Sequence, residues 1–595
     1  MKIQTTRSNC SVLLRIIKAK FLAGLLPASL LLLSVHSGYA GSATWNLSPA
    51  SGDWNTATNW NPATVPNGPS DIATFAVSSQ TAVSVSVDTE IGGIAFDPNA
   101  NSYTITCQPD TALTVVGQGV SNNSGISQNV LVATGDVRGR GIISFKQGAS
   151  AGDRMSYTVD GGKSPGPGAL VGFFSDATAG SATFIANSSY GGSAVGGLIQ
   201  FYDNSTAGDG TFINDASTNG IFSGHTEFYQ NSSAGAATIT NRASTVSGNT
   251  NGQTIFYGTA TAGNATLINE GSPFGGFNNS GFTYFYERSS AENATIYLEP
   301  ATIPGGEPGR VYFDSNSTAG NATIVAQGGP KGYSGGQIDL ANNSTLGNAR
   351  VILDGSGTFL WFLTSTPVSA GSIEGSGHIL MSSEFKVGSN NLDTAFTGTI
   401  AGYGPLIKIG QGELVLAGPS TYAGNASLPG TTVKRGTLLV NNKKGSGTGT
   451  DRVLVSGGTL GGTGFIGGPV EIRSIISPGR TGKAAGTLTI RNTLTLDATS
   501  SYDFAVNSNA VKADEIVAAG VTIANGAHLM PLAVGATSIP PGMTFTVIDN
   551  MAATAIAGTF SNLPDGGTIT VGSNTFQANY EGGDGNDLTL TVLSN

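Results

Sequence analysis

The feature that most constrains the fold of this chain is an internal repeat with a period of about 28 residues. Variants of the phrase STAGNATI recur along the sequence, and aligning them on one position gives markers spaced 27 to 29 residues apart. The markers are Gly152, Gly180, Gly208, Gly235, Gly263, Glu292, Gly320 and Gly347. A unit of this length cannot bury an apolar face alone, so we expect each unit to stack on the next.

The repeat also fixes which side chains face inward. Seven residues before each marker stands a large apolar residue: Phe145, Phe173, Phe201, Phe228, Phe256, Phe285, Phe313 and Leu340. Four residues after it a second apolar column runs through all but the first unit, and small residues stand two positions before that column. This alternation is that of a strand. With turns rich in Gly and Asn and no helical period, the pattern predicts an all-β fold.

We therefore predict a right-handed parallel β-helix (β-solenoid) with coils of about 28 residues and β-rich capping regions. Neighbouring coils would lie about 4.8 Å apart, the ordinary strand spacing. A β-propeller is the alternative, but its blades need about 40 to 50 residues. Recurrent Asn-Ser pairs before the markers, such as Asn204-Ser205 and Asn343-Ser344, are expected to form hydrogen bonds between stacked coils.

The first forty residues resemble a secretion signal. Basic residues precede an apolar run over residues 21–35, and small residues stand just before a predicted cleavage after Ala40. Since Pro27 interrupts a run that is already short for a membrane span, we do not expect a membrane anchor. Cleavage would leave Cys107 as the one remaining cysteine, so no intramolecular disulfide is expected.

Composition excludes two classes of partner. Only 11% of the residues are Asp, Glu, Lys or Arg, and the net charge is −10. Because such a chain has no basic face, we expect no binding to nucleic acid or to an anionic membrane.

Three tryptophans, Trp45, Trp54 and Trp60, stand close together before the repeats. An open first coil would expose edge strands, so this cluster is predicted to cap the N-terminal end of the solenoid. A sugar-stacking site is the alternative.

After the repeats, several phrases resemble the autotransporter-associated β-strand repeat of bacterial autotransporter passengers. They are residues 407–418 (IKIGQGELVLAG), 421–424 (TYAG), 433–440 (VKRGTLLV), 456–464, 476–479 and 486–490, and residues 582–588 (GGDGNDL) at the end. The resemblance implies a parallel β-helix that is secreted, extracellular or on the outer cell surface of a Gram-negative-type bacterium. It also implies a structural or adhesive role.

These features predict the following division of the chain: a signal peptide over residues 1–40, a Trp-rich cap with the first coils over 41–125, the repeat β-helix over 126–360, the autotransporter-associated repeat region over 361–500, and a C-terminal β region and cap over 501–595. A full autotransporter continues into a translocator barrel, whereas this sequence stops just after its passenger-like end. We therefore expect it to be released or exported by another route.

We find no catalytic or metal-binding constellation in the sequence and expect no cofactor. Charged residues in the repeat appear singly and change sign along the coils, and His225, His378 and His528 lack a metal-ligand spacing. A polysaccharide-acting lyase or glycoside hydrolase on the same fold is the alternative function. Residues Gly582 to Asp587 match one copy of a calcium-binding repeat, but a lone copy lacks the adjacent coil that would complete the ion's shell.

One column is the candidate binding site. Six residues before the markers, beside the buried phenylalanines, the sequence places Phe174, Tyr202, Tyr229, Tyr257 and Tyr286. Strand alternation points them outward, where a stripe of aromatic rings would bind a glycan or a matrix or cell-surface protein. The alternative is that the rings stack on one another and only stabilise the sheet.

Overall fold

The computed structural model describes residues 41–594 except 137–138, 219–221, 249, 277, 356, 425–427 and 481–484. The predicted signal peptide lies outside the described residues. Within them the one helical element is a 3₁₀ turn at Ala57–Asn59, and all other regular structure is strand.

Each repeat unit forms one coil. Around Gly208, the strand Leu198–Phe201 leads through the marker turn into Thr211–Asn214, after which the chain returns to begin the next coil at His225. The two strands of a coil pair in parallel with the equivalent strands of the next, so that Phe201 lies opposite Phe228. The predicted parallel β-helix is confirmed, and the inward columns are fully buried.

The first sheet is built from the strand that precedes the marker turn in each coil. In spatial order its strands are Trp60–Asn61, Ala43–Trp45, Gly68–Phe75, Thr89–Phe96, Ala112–Asn122, Ile142–Lys146, Leu170–Phe173, Leu198–Phe201, His225–Phe228, Gln253–Phe256, Phe282–Phe285, Arg310–Phe313, Gln337–Ala341, Phe359–Leu363, His378–Met381 and Thr399–Gly402. Only its first two strands pair antiparallel.

The second sheet follows the marker turn. Its parallel strands are Ala82–Val85, Thr104–Cys107, Gln128–Val132, Met155–Val159, Thr183–Ala186, Thr211–Asn214, Thr238–Asn241, Thr266–Asn269, Thr295–Leu298, Thr323–Gln327, Arg350–Asp354, Ser372–Gly375, Thr394–Phe396, Glu413–Leu416, Thr437–Val440, Thr459–Gly462, Ile475–Pro478, Ser501–Asn507 and His528–Val534. The short strand Lys512–Ala513 pairs antiparallel with Ser501–Asn507.

A third sheet begins where the marker turns end. It contains Val368–Ala370, Phe385–Val387, Leu406–Lys408, Thr431–Val433, Val453–Val455, Val470–Ile472, Leu494–Leu496 and Val521–Ile523.

The fourth sheet closes the C-terminal part. It contains Phe465–Ile466, Thr487–Ile490, Glu515–Ala518, Thr544–Asn550, Asp587–Val592, Asn574–Gly582 and Thr568–Val571. Its last three strand pairs are antiparallel, in contrast to the parallel pairs before them.

Coil length changes along the solenoid. The period of about 28 residues holds as far as the pairing of Phe313 with Leu340. Leu340 then pairs with Phe362, a step of 22 residues, and Ile379 pairs with Ile400, a step of 21. The division of the chain into regions stays a prediction, but this shortening is a structural boundary.

The marker glycine is required by the backbone of its turn. Gly208, Gly235 and Gly263 have φ values of 59°, 61° and 58°, in the left-handed region that favours glycine. A Ser or Thr two residues earlier accepts the marker's N–H, as Thr206 Oγ1 does from Gly208 at 3.1 Å. These Ser and Thr residues also bridge in parallel from coil to coil. The marker turn is therefore a third face of the coil.

The Asn-Ser pairs behave differently from one another. Asn343 Nδ2 donates to Asn316 Oδ1 at 3.3 Å, as predicted for bonds between coils. The serine hydroxyls of the pairs are buried and form no hydrogen bond within the described part of the chain; they belong to Ser205, Ser232, Ser317 and Ser344. The prediction is confirmed for this asparagine pair and wrong for the serines.

A ladder of buried asparagines runs from coil to coil within the core. The sequence interpretation missed it. Asn214 Nδ2 donates to Asn241 Oδ1 at 2.8 Å, and Asn241 Nδ2 donates to Asn269 Oδ1 at 2.7 Å. Each side-chain oxygen also accepts a bond from a threonine hydroxyl of the first sheet, as Asn241 does from Thr254 at 2.8 Å. Identical asparagines six residues after three successive markers were the available signal.

Replacing Glu292 by glycine should stabilise the protein. Glu292 occupies the marker position with φ of 46°, a conformation that disfavours a side chain by about 1 to 2 kcal/mol. Part of that gain is offset by the greater chain entropy of glycine when unfolded, so we expect a gain of about 1 kcal/mol or less. Denaturant unfolding at equilibrium measures it.

Glu287 provides the matched control. It also has positive φ, 60°, but its carboxylate accepts the N–H of Gly258 at 2.7 Å. Glu287→Gly loses that bond and should stabilise less than Glu292→Gly; an equal gain from both would contradict this account.

Asn241→Leu should destabilise the protein by at least about 2 kcal/mol, because buried polar partners above and below lose their bonds. The exposed Asn321 bonds Asn293 at 3.3 Å and is the control. We expect Asn321→Leu to change the free energy of unfolding by no more than about 0.5 kcal/mol. Similar effects at the two positions would show that the ladder contributes little.

Candidate functional site

The predicted aromatic stripe forms a continuous stack on the outer face of the first sheet. Its members follow the last residues of successive strands and are half-buried. Ring centroids are separated by 5.2 Å from Phe174 to Tyr202, 4.9 Å to Tyr229, 5.0 Å to Tyr257 and 5.5 Å to Tyr286, with planes within 14° of parallel. The structure brings all five predicted residues together.

Stacking determines what the stripe can present to a partner. Parallel rings at these distances overlap in offset stacks, so Tyr202, Tyr229 and Tyr257 each have a neighbouring ring on both faces. At the start of the stripe, the ammonium of Lys146 lies 5.9 Å from the centroid of Phe174. The stripe therefore exposes ring edges and phenol oxygens, while its ring faces are largely covered.

One carboxylate is embedded in this face. Glu227 accepts hydrogen bonds from the Tyr229 hydroxyl at 2.8 Å and from Gln200 Nε2 at 2.7 Å. His225 Nδ1 lies 4.0 Å from it, and burial lowers the pKa of this histidine. Burial and then the charge of Glu227 raise the pKa of Tyr202 and of Tyr229. These phenols therefore stay protonated and act as hydrogen-bond donors.

The aromatic surface extends beyond the five predicted residues. Tyr284 stacks on Phe282 at 4.1 Å, and Tyr312 stands nearly perpendicular to Tyr284 at 6.2 Å. Burial raises the pKa of Tyr284 to about 12. Two coils further on, Phe359 and Trp361 are 41% and 40% exposed. Strand alternation two residues before the stripe column was the signal for the tyrosines.

Glu227 and Asp339, two outward carboxylates of the first sheet, are too far apart for paired acid–base chemistry. Strand register places Glu227 four rungs from Asp339, through Ile255 and the two tyrosines. At about 4.8 Å per rung this is about 19 Å, whereas glycosidase carboxylate pairs lie about 5 to 9.5 Å apart. Asp339 is also bound to Arg310 at 2.6 Å.

The N-terminal tryptophans lie in the core. Trp45, Trp54 and Trp60 are at most 1% exposed, and Trp60 packs edge-on against both others with centroids 5.0 Å apart. Phe75 contacts all three rings. None of the three offers a face to a sugar.

The calcium-like phrase is a hairpin turn. It joins the antiparallel strands Asn574–Gly582 and Asp587–Val592, and Asp587 Oδ1 accepts the N–H of Asn550 at 2.9 Å. In the described part of the chain no group of three or more His, Cys, Asp and Glu residues has a metal-binding arrangement. Nor does any described helix have the length and apolar character needed to cross a membrane.

Part of the chain is similar in sequence to a known adhesin. Over 130 residues the chain is 38% identical to a protein named "Adhesin BmaC autotransporter" from Brucella suis biovar 1 (strain 1330). The β-strand repeat phrases and the parallel β-helix agree with this likeness. The chain is similar to bacterial autotransporter passengers. The match covers 20% of this chain and 4% of the Brucella protein, so the passenger-like chain corresponds to a small part of that relative.

No family model matches the chain. The crystal structure of the Haemophilus influenzae Hap adhesin is similar at 12% identity, covering 88% of this passenger-like chain and 64% of that chain with a TM-score of 0.27. The assignment of the fold rests on the strand register described above.

The phenols should make the protein sensitive to alkali. Their folded pKa values are raised above the unfolded value of about 10. From about pH 10 upward the unfolded chain therefore binds fewer protons than the folded one, and stability falls as pH rises. We expect the triple variant Tyr202→Phe, Tyr229→Phe, Tyr257→Phe to lose less thermal stability than the wild type between about pH 9 and pH 11.

Tyr403→Phe is the control, since this phenol is 84% exposed and lies outside the stripe. It should follow the wild type. Phenolate absorbance recorded with the unfolding curve shows whether the stripe phenols ionise only on unfolding. Ionisation of these phenols in the folded protein near the ordinary pKa of about 10 would contradict the expectation.

Proposed function

We propose that this protein is a secreted or surface-exposed bacterial adhesin that binds through outer faces of its β-helix and without catalysis. The observation that carries the proposal is the aromatic surface of the first sheet, which leaves half-buried rings in register on successive coils. Exposed aromatic surfaces often mark interaction sites. The adhesin name of the relative agrees with this role.

The chemistry of the stripe favours a polar partner over an apolar one. Phenol oxygens stand on neighbouring coils, and ring edges carry partial positive charge. The hydroxyls of Tyr202 and Tyr229 are already engaged with Gln200 and Glu227, at 3.1 and 2.8 Å. A glycan or a matrix or cell-surface protein would meet a surface of fixed hydrogen-bonding groups.

A polysaccharide-acting enzyme remains the second candidate, and the spacing of Glu227 and Asp339 counts against it. At a separation of about 19 Å these two carboxylates do not form an acid–base pair. Adhesion needs no such pair.

The test is binding of residues 41–595 to an array of glycans and matrix proteins, with two matched triple variants at Tyr202, Tyr229 and Tyr257. Substitution to alanine removes ring and hydroxyl, and substitution to phenylalanine keeps the ring stack. If the phenols bind, both variants lose binding; if the ring edges bind, only the alanine variant does. Retention by a folded alanine variant would place binding elsewhere, and no binding by the wild type would leave a structural coat protein.

A further inference from the structure

The solenoid has a step where its long coils give way to short ones. After Thr323–Gln327 the chain takes nine residues, 328–336, to reach the next strand of the first sheet, but after Arg350–Asp354 it takes only four, 355–358. The longer loop therefore has no loop of equal length stacked on its far side. A cleft of about 480 Å³ opens beside it, lined by Tyr333, Gln337 and Phe359 among others. Ligand clefts commonly range from about 300 to 1,000 Å³.

Two exposed aromatic side chains, Phe359 and Trp361, border this cleft. Phe359 lies in register beside Gln337, and Trp361 lies beside Asp339 on the same outer face. Phe359 has a tilted contact with His378 at 5.2 Å. Trp361 stacks on no ring of the described residues and is 40% exposed. This differs from the tyrosine stripe, whose rings cover one another.

The polar groups around the cleft are held in place by hydrogen bonds and ion pairs. Gln337 Nε2 donates to Asp339 Oδ1 at 2.7 Å, and Arg310 pairs with the other carboxylate oxygen at 2.6 Å. Lys331, at the exposed rim, is the one lining residue with a formal charge. A net charge of −10 on the chain also disfavours a polyanionic ligand.

We propose that the step cleft with Phe359 and Trp361 is a binding site for a neutral oligosaccharide. This inference rests on the proposed adhesive function and names its ligand class. A sugar has an apolar face of C–H groups, which packs on an aromatic ring, and a hydroxyl rim, which bonds to polar groups such as the Gln337 amide, held by Asp339, and the Tyr333 hydroxyl. A cleft lined by the rings of Tyr333 and Phe359 and by the side-chain amide of Gln337 offers both. A polyanionic polymer would meet a single positive charge in the cleft lining, that of Lys331.

The protein carries its own reporter for the site. Of its four tryptophans, three are at most 1% exposed and Trp361 alone is accessible to solvent. Acrylamide quenching of intrinsic fluorescence therefore reports on Trp361. We expect neutral tetra- to hexasaccharides, tested as a panel of gluco-, galacto-, manno- and xylo-oligomers, to protect it from quenching and to bind in calorimetry.

The deciding variants are Trp361→Ala and Phe359→Ala, with Leu363→Ala as the control. Leu363 lies on the same strand and face, is 47% exposed, and is not part of the cleft. Trp361→Ala should weaken oligosaccharide binding at least tenfold and Phe359→Ala to a lesser degree, while Leu363→Ala stays within about twofold of the wild type. Thermal unfolding checks that each variant folds.

Other outcomes overturn the inference in distinguishable ways. Binding of matrix proteins but of no oligosaccharide would leave the adhesive function standing and remove this site. Oligosaccharide binding that survives Trp361→Ala, or that follows the tyrosine variants instead, would place the sugar elsewhere. Dimerisation lost on Trp361→Ala in sedimentation would show that a second copy covers the patch. No binding of any kind would overturn both proposals.

Discussion

Every other property of this structure depends on the in-register parallel pairing of each coil with the next. Pairing repeats the same backbone bonds at every rung, so each side chain lies over its equivalent about 4.8 Å away. Rings profit from this arrangement because identical rings stack, as Phe173 and Phe201 do at 4.5 Å. Like charges at that separation repel one another, which explains why the repeat is poor in Lys, Arg, Asp and Glu.

The same pairing makes the turns uniform. A coil that lies flat on its neighbour has to turn at the same place and in the same conformation, so a left-handed residue recurs at each marker. Side chains then bond to the turn of the adjacent coil: Asp203 accepts the N–H of Ser175 at 2.9 Å, and Gln230 accepts that of Asp203 at 2.6 Å. Polar residues in the turns thus contribute to stacking rather than to chemistry.

How much the sequence predicts follows from this periodicity. Columns such as Phe145 to Leu340 could be assigned inward because spacing alone fixes them, and the outward stripe follows by alternation. Ring orientation could not be predicted, since whether Tyr202 shows a face or an edge depends on its neighbours in space. The Asn241 ladder was hidden because asparagine is common in the turns of the same repeat. Trp361 lies outside the periodic region, where no column marks it.

The step in the solenoid gives these observations a functional meaning. Within the regular coils, stacking covers ring faces and spends most polar groups on the next rung, so the surface is rigid but offers few free contacts. Where the loop shortens after Arg350–Asp354, Phe359 and Trp361 are left 41% and 40% exposed. The regular coils present similar surfaces to a ligand, whereas such an irregularity presents a different one. We therefore expect specific recognition of a small ligand at the step, and multivalent contact with a larger partner along the stripe.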